Sequence, residues 1–290
     1  MKEQRSFVDN SKGCLFLVPT PIGNLEDMTF RAVNTLKDVD LVAAEDTRNT
    51  KNLLNHFEIP TELISFHEHN TAQRIPELIE KMNAGLKIAQ VSDAGAPSIS
   101  DPGKELVKAA IKADIAVVPL PGATASVTAL IASGIAPQPF YFFGFLPRKG
   151  KERTEALSDL AQRQETTIVY ESPYRVKKTI QDLITNFGAE RQITLARELT
   201  KIHEAFLRGS LAQVAQYYEE NDPKGEYVLI IAGKPEEAVA VESDDDLVST
   251  VDKLIKQGQK PNKAIKEVAN QNGLKKQDVY NLYHGIGEND

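Results

Sequence analysis

A chain of 290 residues, 41% hydrophobic and 26% charged, is long enough for about two domains with their own cores and has the composition of a soluble globular protein. Its net charge of −7 argues against indiscriminate nucleic-acid binding, although a local basic patch is compatible with it, since only the surface that meets phosphates has to be positive. One cysteine, Cys14, leaves no disulfide framework and no cysteine cluster for a metal, and its place in an apolar run makes it an expected core residue.

No apolar run approaches the roughly 20 residues that cross a bilayer. The polar opening, Met1 to Lys12, also lacks the apolar stretch of a signal peptide, so the expected location is cytoplasmic, with no membrane partner. The first apolar run, Gly13 to Val18, reads as a strand that stops at Pro19. The turn Pro19-Thr20-Pro21-Ile22-Gly23-Asn24-Leu25 then leads to Thr29 and a helix patterned by Phe30, Val33 and Leu36. Ligands of open α/β sheets sit at the carboxyl ends of strands, so this Pro/Gly loop is a candidate binding edge as well as an ordinary strand-to-helix turn. Asp40 to Ala44 reads as a second strand with Glu45-Asp46-Thr47-Arg48 at its carboxyl end, followed by a helix from Thr50 to Phe57. A short strand, Glu62 to Phe66, meets the polar cluster His67-Glu68-His69-Asn70 and a helix around Ile75 to Met82. The strand Lys87 to Val91 empties into the long loop Ser92 to Gly103, whose two Gly and two Pro favour a defined path. The helix Lys104 to Lys112, the strand Ile115 to Pro119 and a turn from Leu120 to Ala125 complete a half that predicts a mainly parallel sheet covered on both faces.

The second half opens with the aromatic run Phe140 to Phe145, read as a buried strand because basic residues do not interleave it. The densest positive stretch follows: Arg148, Lys149, Lys151 and Arg153. It is either a basic contact surface or a solvated loop and first helical turn. Strands recur at Thr167 to Tyr170, Gln192 to Ala196, Ala205 to Arg208 and Tyr227 to Ala232, with helices at Tyr174 to Phe187 and Ser210 to Tyr218, and hairpin pairing predicts a mixed sheet. The expected organisation is an α/β domain over 1–122, a second over 123–234, an acidic linker over 235–246, and a small helix-turn-helix-like domain over 247–290. Lys260, Lys263, Lys266, Lys275 and Lys276 give that last domain a basic face, and a plain helical cap explains it nearly as well.

Several of these segments together resemble a known family. Val18 to Leu25, Ala43 to Arg48, His67 to Asn70, Ser92 to Gly103, Arg197-Glu198-Leu199-Thr200-Lys201 and Gly273 to Lys276 stand in the order and spacing of the ribosomal RNA small subunit methyltransferase I family, in the tetrapyrrole methylase-like superfamily. The resemblance runs from about Gly13 to the C-terminus. It implies a two-domain class III methyltransferase fold with a small C-terminal helical domain, S-adenosyl-L-methionine as cofactor, and 2′-O-methylation of a cytidine ribose in the decoding region of 16S rRNA within the 30S subunit, usually by a homodimer. By that resemblance the cofactor lies against Pro21, Ser92, Asp93, Ala94, Ile99, Thr124 and Ala125, with Glu171, Ser172 and Leu207 contributed by the second domain. The wider tetrapyrrole methylases carry Gly-Pro-Gly-Asp in the first loop; here it is Pro19 to Asn24, which weighs against a tetrapyrrole substrate.

Methyl transfer to an alcohol is an in-line displacement governed by positioning, and the hydroxyl proton needs an acceptor within hydrogen-bond reach. Glu45, Asp46 and His67, all expected at strand ends, are the candidates, with Glu226 a weaker one. An ion pair of Asp46 or Glu45 with Arg48 is the structural alternative, and a positioning role is the alternative for His67. Lys201 and Arg197 suit polarisation of the hydroxyl or phosphate contacts, against a surface pair with Glu198. Arg48, Arg148 and Lys149 join Arg197 as candidate substrate contacts. No metal site is expected, because His67 and His69 alternate along a segment read as extended and so point to opposite faces. Two other readings stay open: a small-molecule C-methyltransferase acting on a tetrapyrrole, and a non-catalytic RNA- or nucleotide-binding protein.

Overall fold

The computed structural model describes residues 3–6, 12–235 and 243–286; most of the expected acidic linker, residues 236–242, lies outside them. The chain divides into two compact units, Met1–Lys234 and Pro235–Asp290.

In the first unit, β1 (Cys14–Leu17), β2 (Leu41–Ala44), β3 (Leu63–Ser65), β4 (Ile88–Val91) and β5 (Ala116–Pro119) form a sheet ordered β3-β2-β4-β1-β5. Every pairing in it is parallel. Helices α1 (Phe30–Asp38) and α2 (Thr47–His56) cover one face, where Leu36 and Leu54 pack with Val18, Val42, Ala89 and Val91. Helices α3 (Thr71–Asn83) and α4 (Lys104–Lys112) cover the other through Leu78, Met82, Leu106 and Ala110 against Leu15, Ala43 and Ile88. Burying a side chain of this size contributes about 2 kcal/mol, which is why the two central strands β2 and β4 read as continuous buried runs. The chain leaves β1 and β2 toward one face and β4 toward the other, so the loops diverge and a crevice opens above the carboxyl end of β4.

Helix α5 (Ala125–Ile131) begins where the sequence predicted only a turn. Beyond it, β6 (Phe140–Phe145), α6 (Gly150–Gln162), β7 (Thr166–Glu171), α7 (Pro173–Phe187), β8 (Gln192–Arg197), β9 (Ala205–Ser210), α8 (Leu211–Glu220) and β10 (Tyr227–Ile231) build a second sheet ordered β6-β7-β10-β8-β9. It is mixed, as expected, with β6 parallel to β7 and the other pairs antiparallel. The aromatic run is not the buried strand the composition predicted. It is an edge strand with an irregularity between Phe142 and Gly144, and Phe140 and Phe145 remain 43% and 59% exposed. Helices α6, α7 and α8 cover one face of the sheet. On the other face Ala129 and Leu130 of α5 pack with Ile168, Ala196, Val228 and Ile230, and Ile22 from the first loop joins that cluster and ties the two sheets together. Cys14 is half-buried rather than fully enclosed, and burial pushes its thiol above the ordinary range, consistent with a structural residue.

The second unit holds α9 (Asp244–Lys256), α10 (Pro261–Gln271) and α11 (Lys276–His284) around Leu247, Val251, Ala264, Ile265, Val268 and Val279. Residues 243–246, expected to end the linker, instead start a helix: the Ser243 side chain accepts from the Asp246 N–H, and Asp244 to Asp246 fill a first turn that favours negative charge. The five lysines of the expected basic face are exposed. Among the described residues no helix is long and apolar enough to cross a membrane.

Candidate active site

The crevice above β4 is a cleft of about 360 Å³, within the range of small-molecule sites. Its floor is fixed by the first loop. Thr20 and Gly95 exchange both backbone hydrogen bonds at 3.0 Å, and the Thr20 hydroxyl donates to the Ser92 carbonyl at 3.0 Å. Gly95 sits at φ +78°, which a side chain would strain. Asp93 to Ala96 and Ile99 to Asp101 line one wall, Thr124 and Ala125 a second, and Phe145, Tyr170 to Ser172, Leu199, Lys201 and Glu226 to Val228 the wall from the second sheet.

Three carboxylates crowd the first-sheet side. Glu45 extends β2, is half-buried, and its Oε2 accepts the Asp93 N–H at 3.4 Å. Burial and then the charge of Asp101 push its carboxyl above the ordinary range, partly offset by that N–H. Asp101 is raised too, first by burial and also by Asp93, against the lowering influence of Ser92. The Asp93 carboxylate is spent on α2, accepting from the Asp46 N–H at 3.2 Å and from Asn49 Nδ2 at 3.3 Å.

Asp46 has a different task. Its Oδ1 accepts the Arg48 N–H at 2.8 Å as the N-cap of α2, and the Arg48 guanidinium donates to Oδ1 and Oδ2 at 3.1 and 2.7 Å. The Arg48 side-chain bond leads the causes that hold this carboxyl at about 2. It is therefore a weak proton acceptor. The cap also explains why α2 starts at Thr47 rather than Thr50.

Lys201 donates to Glu198 Oε1 at 3.0 Å and to Glu226 Oε2 at 2.8 Å. Burial alone would lower its pKa, but the bonds to Glu226 and Glu198 outweigh that and raise it, so an ammonium lines the cleft. Glu171, 3% exposed, accepts from Ser172 N–H at 2.9 Å and from the Thr179 hydroxyl at 2.7 Å.

Of the residues predicted from sequence, Glu45, Asp93, Ala94, Ile99, Thr124, Ala125, Glu171, Ser172 and Lys201 line this cleft together. Pro21 and Ser92 line an adjoining hollow with Asn49 and Leu53, to which Asp93 also contributes. Leu207 packs on the α7/α8 core of the second sheet, whereas its neighbour Phe206 faces the Ile22 cluster. His67, just past the edge strand β3, is absent from the cleft lining; its N–H donates to Asn70 Oδ1 at 2.9 Å and Asn70 Nδ2 lies 3.3 Å from its Nε2. The chain turns after β3, so the His67 and His69 rings stand 6.1 Å apart rather than on opposite faces. Arg197 is half-buried at the end of β8, 3.5 Å from the His203 carbonyl. Arg148 and Lys149 are exposed between β6 and α6, with no carboxylate partner among the described residues. Arg153 of the same basic stretch is buried, donating to Asp182, Thr179 and the Pro147 carbonyl at 2.9 Å each. The sequence reading passed over Asp101, Phe145, Tyr170 and Val228; Asp101 lies in the loop it singled out, and the others carry only a strand's apolar pattern.

The profile of the family described as Tetrapyrrole (Corrin/Porphyrin) Methylases matches residues 14–215. The ribosomal RNA small subunit methyltransferase I of Streptococcus pyogenes serotype M1 is 54% identical over 288 residues, covering 99% of this chain and 100% of that protein. This chain belongs to the tetrapyrrole methylase family and, within it, to the ribosomal RNA small subunit methyltransferase I family. The family's protein from Halalkalibacterium halodurans is 50% identical, covering 98% of this chain and 99% of its own. Among solved structures, cobalt precorrin-4 methyltransferase, a cobalamin biosynthetic enzyme, matches with a TM-score of 0.58 over 74% of this chain and 93% of its own. At 17% identity that likeness shows the fold alone. The expected α/β class III fold with its C-terminal helical region is thus the fold of this family member.

Proposed function

We propose that this chain transfers a methyl group from S-adenosyl-L-methionine to the ribose 2′-hydroxyl of a cytidine in the decoding region of 16S rRNA, in the cytoplasm and on the assembling or assembled 30S subunit, as a homodimer. The observation that carries the reading is the carboxylate-lined cleft of a chain similar along its whole length to small subunit rRNA methyltransferases. The cleft suits the cofactor: Glu45, Asp93 and Asp101 complement its sulfonium and ammonium charges, while Ile22, Ala125 and Val228 offer an apolar bed for its adenine. Bound there, the cofactor supplies an activated methyl group.

The chain's own work is positioning and proton management. Glu45 is the proton acceptor in this reading, because burial and Asp101 raise its affinity for a proton while Asp93 N–H fixes its orientation. Asp46 holds the start of α2 and, through its N–H, the Asp93 carboxylate. Lys201, kept cationic by Glu198 and Glu226, is placed to polarise the hydroxyl or meet a phosphate. Arg48, Arg148, Lys149 and Arg197 contact the RNA, and His67 positions it from the neighbouring strand end. Residues 1–122 and 123–234 act as two cofactor-binding domains, and 247–290 as an RNA-recruiting tail.

The competing reading, C-methylation of a tetrapyrrole, takes its support from the description of the matching family profile and the fold shared with a cobalamin biosynthetic enzyme. A porphyrinoid titration beside a methyl-transfer assay on 16S rRNA tests the choice. Saturable porphyrinoid binding without transfer to RNA would overturn the proposal.

A further inference from the structure

Strand β4 runs Ile88-Ala89-Gln90-Val91 through the centre of the first sheet, and Gln90 is its single polar residue, 1% exposed. Ala89 and Val91 point into the α1/α2 core, so Gln90 faces the side from which α4 starts. An amide buried there is unfavourable unless its hydrogen bonds are made. One donor and the acceptor are matched on the cleft loop: Nε2 donates to the Pro102 carbonyl at 2.5 Å, and Oε1 accepts the Ser98 hydroxyl at 3.4 Å. Between those two feet lie only Ile99, Ser100 and Asp101, and all three line the cleft. The backbone is committed at both ends, with Ser98 at φ +69° and Gly103, directly after the Pro102 foot, at φ +145°. A Cβ on Gly103 would run into the Gln90 amide and the Ser98 hydroxyl, so the chain passes directly over the amide head.

We propose that Gln90 is a positioning residue for the cofactor, clamping both ends of the Ile99–Ser100–Asp101 arch so that the arch stands preformed in the cleft wall. This rests on the reading of the cleft as the S-adenosyl-L-methionine site. A preformed wall spares binding the ordering of a long loop, so loss of the clamp appears in cofactor affinity ahead of the chemical step. Gln90→Leu removes both bonds while filling the space. Gln90→Glu keeps them only when protonated: the neutral carboxyl donates to the Pro102 carbonyl and accepts from Ser98, whereas a carboxylate opposes that carbonyl.

The test measures S-adenosylhomocysteine affinity by calorimetry from pH 5.5 to 8.5, as a ratio to wild type so that Glu45, Asp93 and Asp101 cancel, with amide hydrogen exchange of residues 96–103 in the free protein. The expected result is binding weakened about tenfold by Gln90→Leu at every pH, equivalent to one lost buried hydrogen bond. For Gln90→Glu the ratio is near one at the acid end and grows as pH rises through the elevated pKa of a buried carboxyl. Loop exchange accelerates in step, and KM rises for the cofactor but not for RNA. A folded Gln90→Leu protein with wild-type affinity and exchange overturns the proposal, as does a Gln90→Glu ratio flat with pH. Should wild type itself fail to bind S-adenosylhomocysteine, the reading of the cleft falls, and the exchange data alone then decide whether Gln90 holds the arch.

Discussion

Glu45 and Asp46 are adjacent in sequence and differ in every property that matters to a proton. Glu45 is half-buried beside Asp101 and holds its proton more tightly than usual; Asp46, half-buried as well, is forked to the Arg48 guanidinium, which holds its carboxyl down at about 2. Glu45→Gln is therefore expected to lower the single-turnover methyl-transfer rate by about 10²–10⁴-fold, the range of general-base removal. Asp46→Asn keeps an N-cap residue and is expected to stay within a few-fold of wild type. Equal losses in the two variants would remove the distinction. Asp101 gives a second residue-scale expectation. Its folded-state pKa lies above its unfolded value near 3.9, so the folded form binds the extra proton and stability is lost as pH rises through the folded value. Asp101→Asn is accordingly expected to raise Tm at pH 7–8, the gain shrinking as pH falls through the raised folded value and vanishing by the ordinary aspartate range. A Tm difference independent of pH would contradict the assignment.

At the scale of elements, the positions of helices and strands were largely legible in the sequence, because apolar periodicity reports burial and burial holds these elements in place. The alternation through Val91 and the Lys104–Lys112 helix came through intact. What periodicity did not carry was edge position and side-chain partnership. The Phe140–Phe145 run looked buried because its composition is that of a core, yet it forms a sheet edge. Arg153 looked like part of a basic surface because charge is read without its partner; its guanidinium instead braces Pro147 against α7. For the site, the loops after β1, β4 and β5 were readable because Pro and Gly punctuate those strand ends, and the one after β2 because Glu45 and Asp46 follow its apolar run directly. Phe145, Tyr170 and Val228 of the second-sheet wall were not, because their place opposite the first-sheet loops depends on the Ile22 junction between distant segments. The separation of Arg153 from its neighbours has a measurable consequence. Arg153→Met leaves Asp182 and Thr179 without their guanidinium and is expected to destabilise the protein by about 3 kcal/mol in urea unfolding. Arg148→Ala combined with Lys149→Ala is expected to leave the unfolding midpoint in place and to weaken RNA binding most at low salt. The reverse pattern would show that the two exposed cations are structural.

At the scale of the whole molecule, a chain of net charge −7 has to bring a polyanion to a cleft lined with carboxylates. The exposed lysines of the second unit, Lys260, Lys263, Lys266, Lys275 and Lys276, are the cations to which the proposed function gives that task. Removing residues 243–290 is expected to weaken methylation of RNA far more than cofactor binding. An equal loss of both, in a truncated protein that still folds, would contradict a recruiting role for this unit.

The most direct test of the account is transfer of labelled methyl from S-adenosyl-L-methionine to 30S particles and to free 16S rRNA taken from cells lacking the modification, with the labelled nucleotide mapped. Label is expected on the 2′-oxygen of a decoding-region cytidine, and its loss is expected in Glu45→Gln. Label on a base, or no transfer to either substrate while cofactor binding is intact, would contradict it.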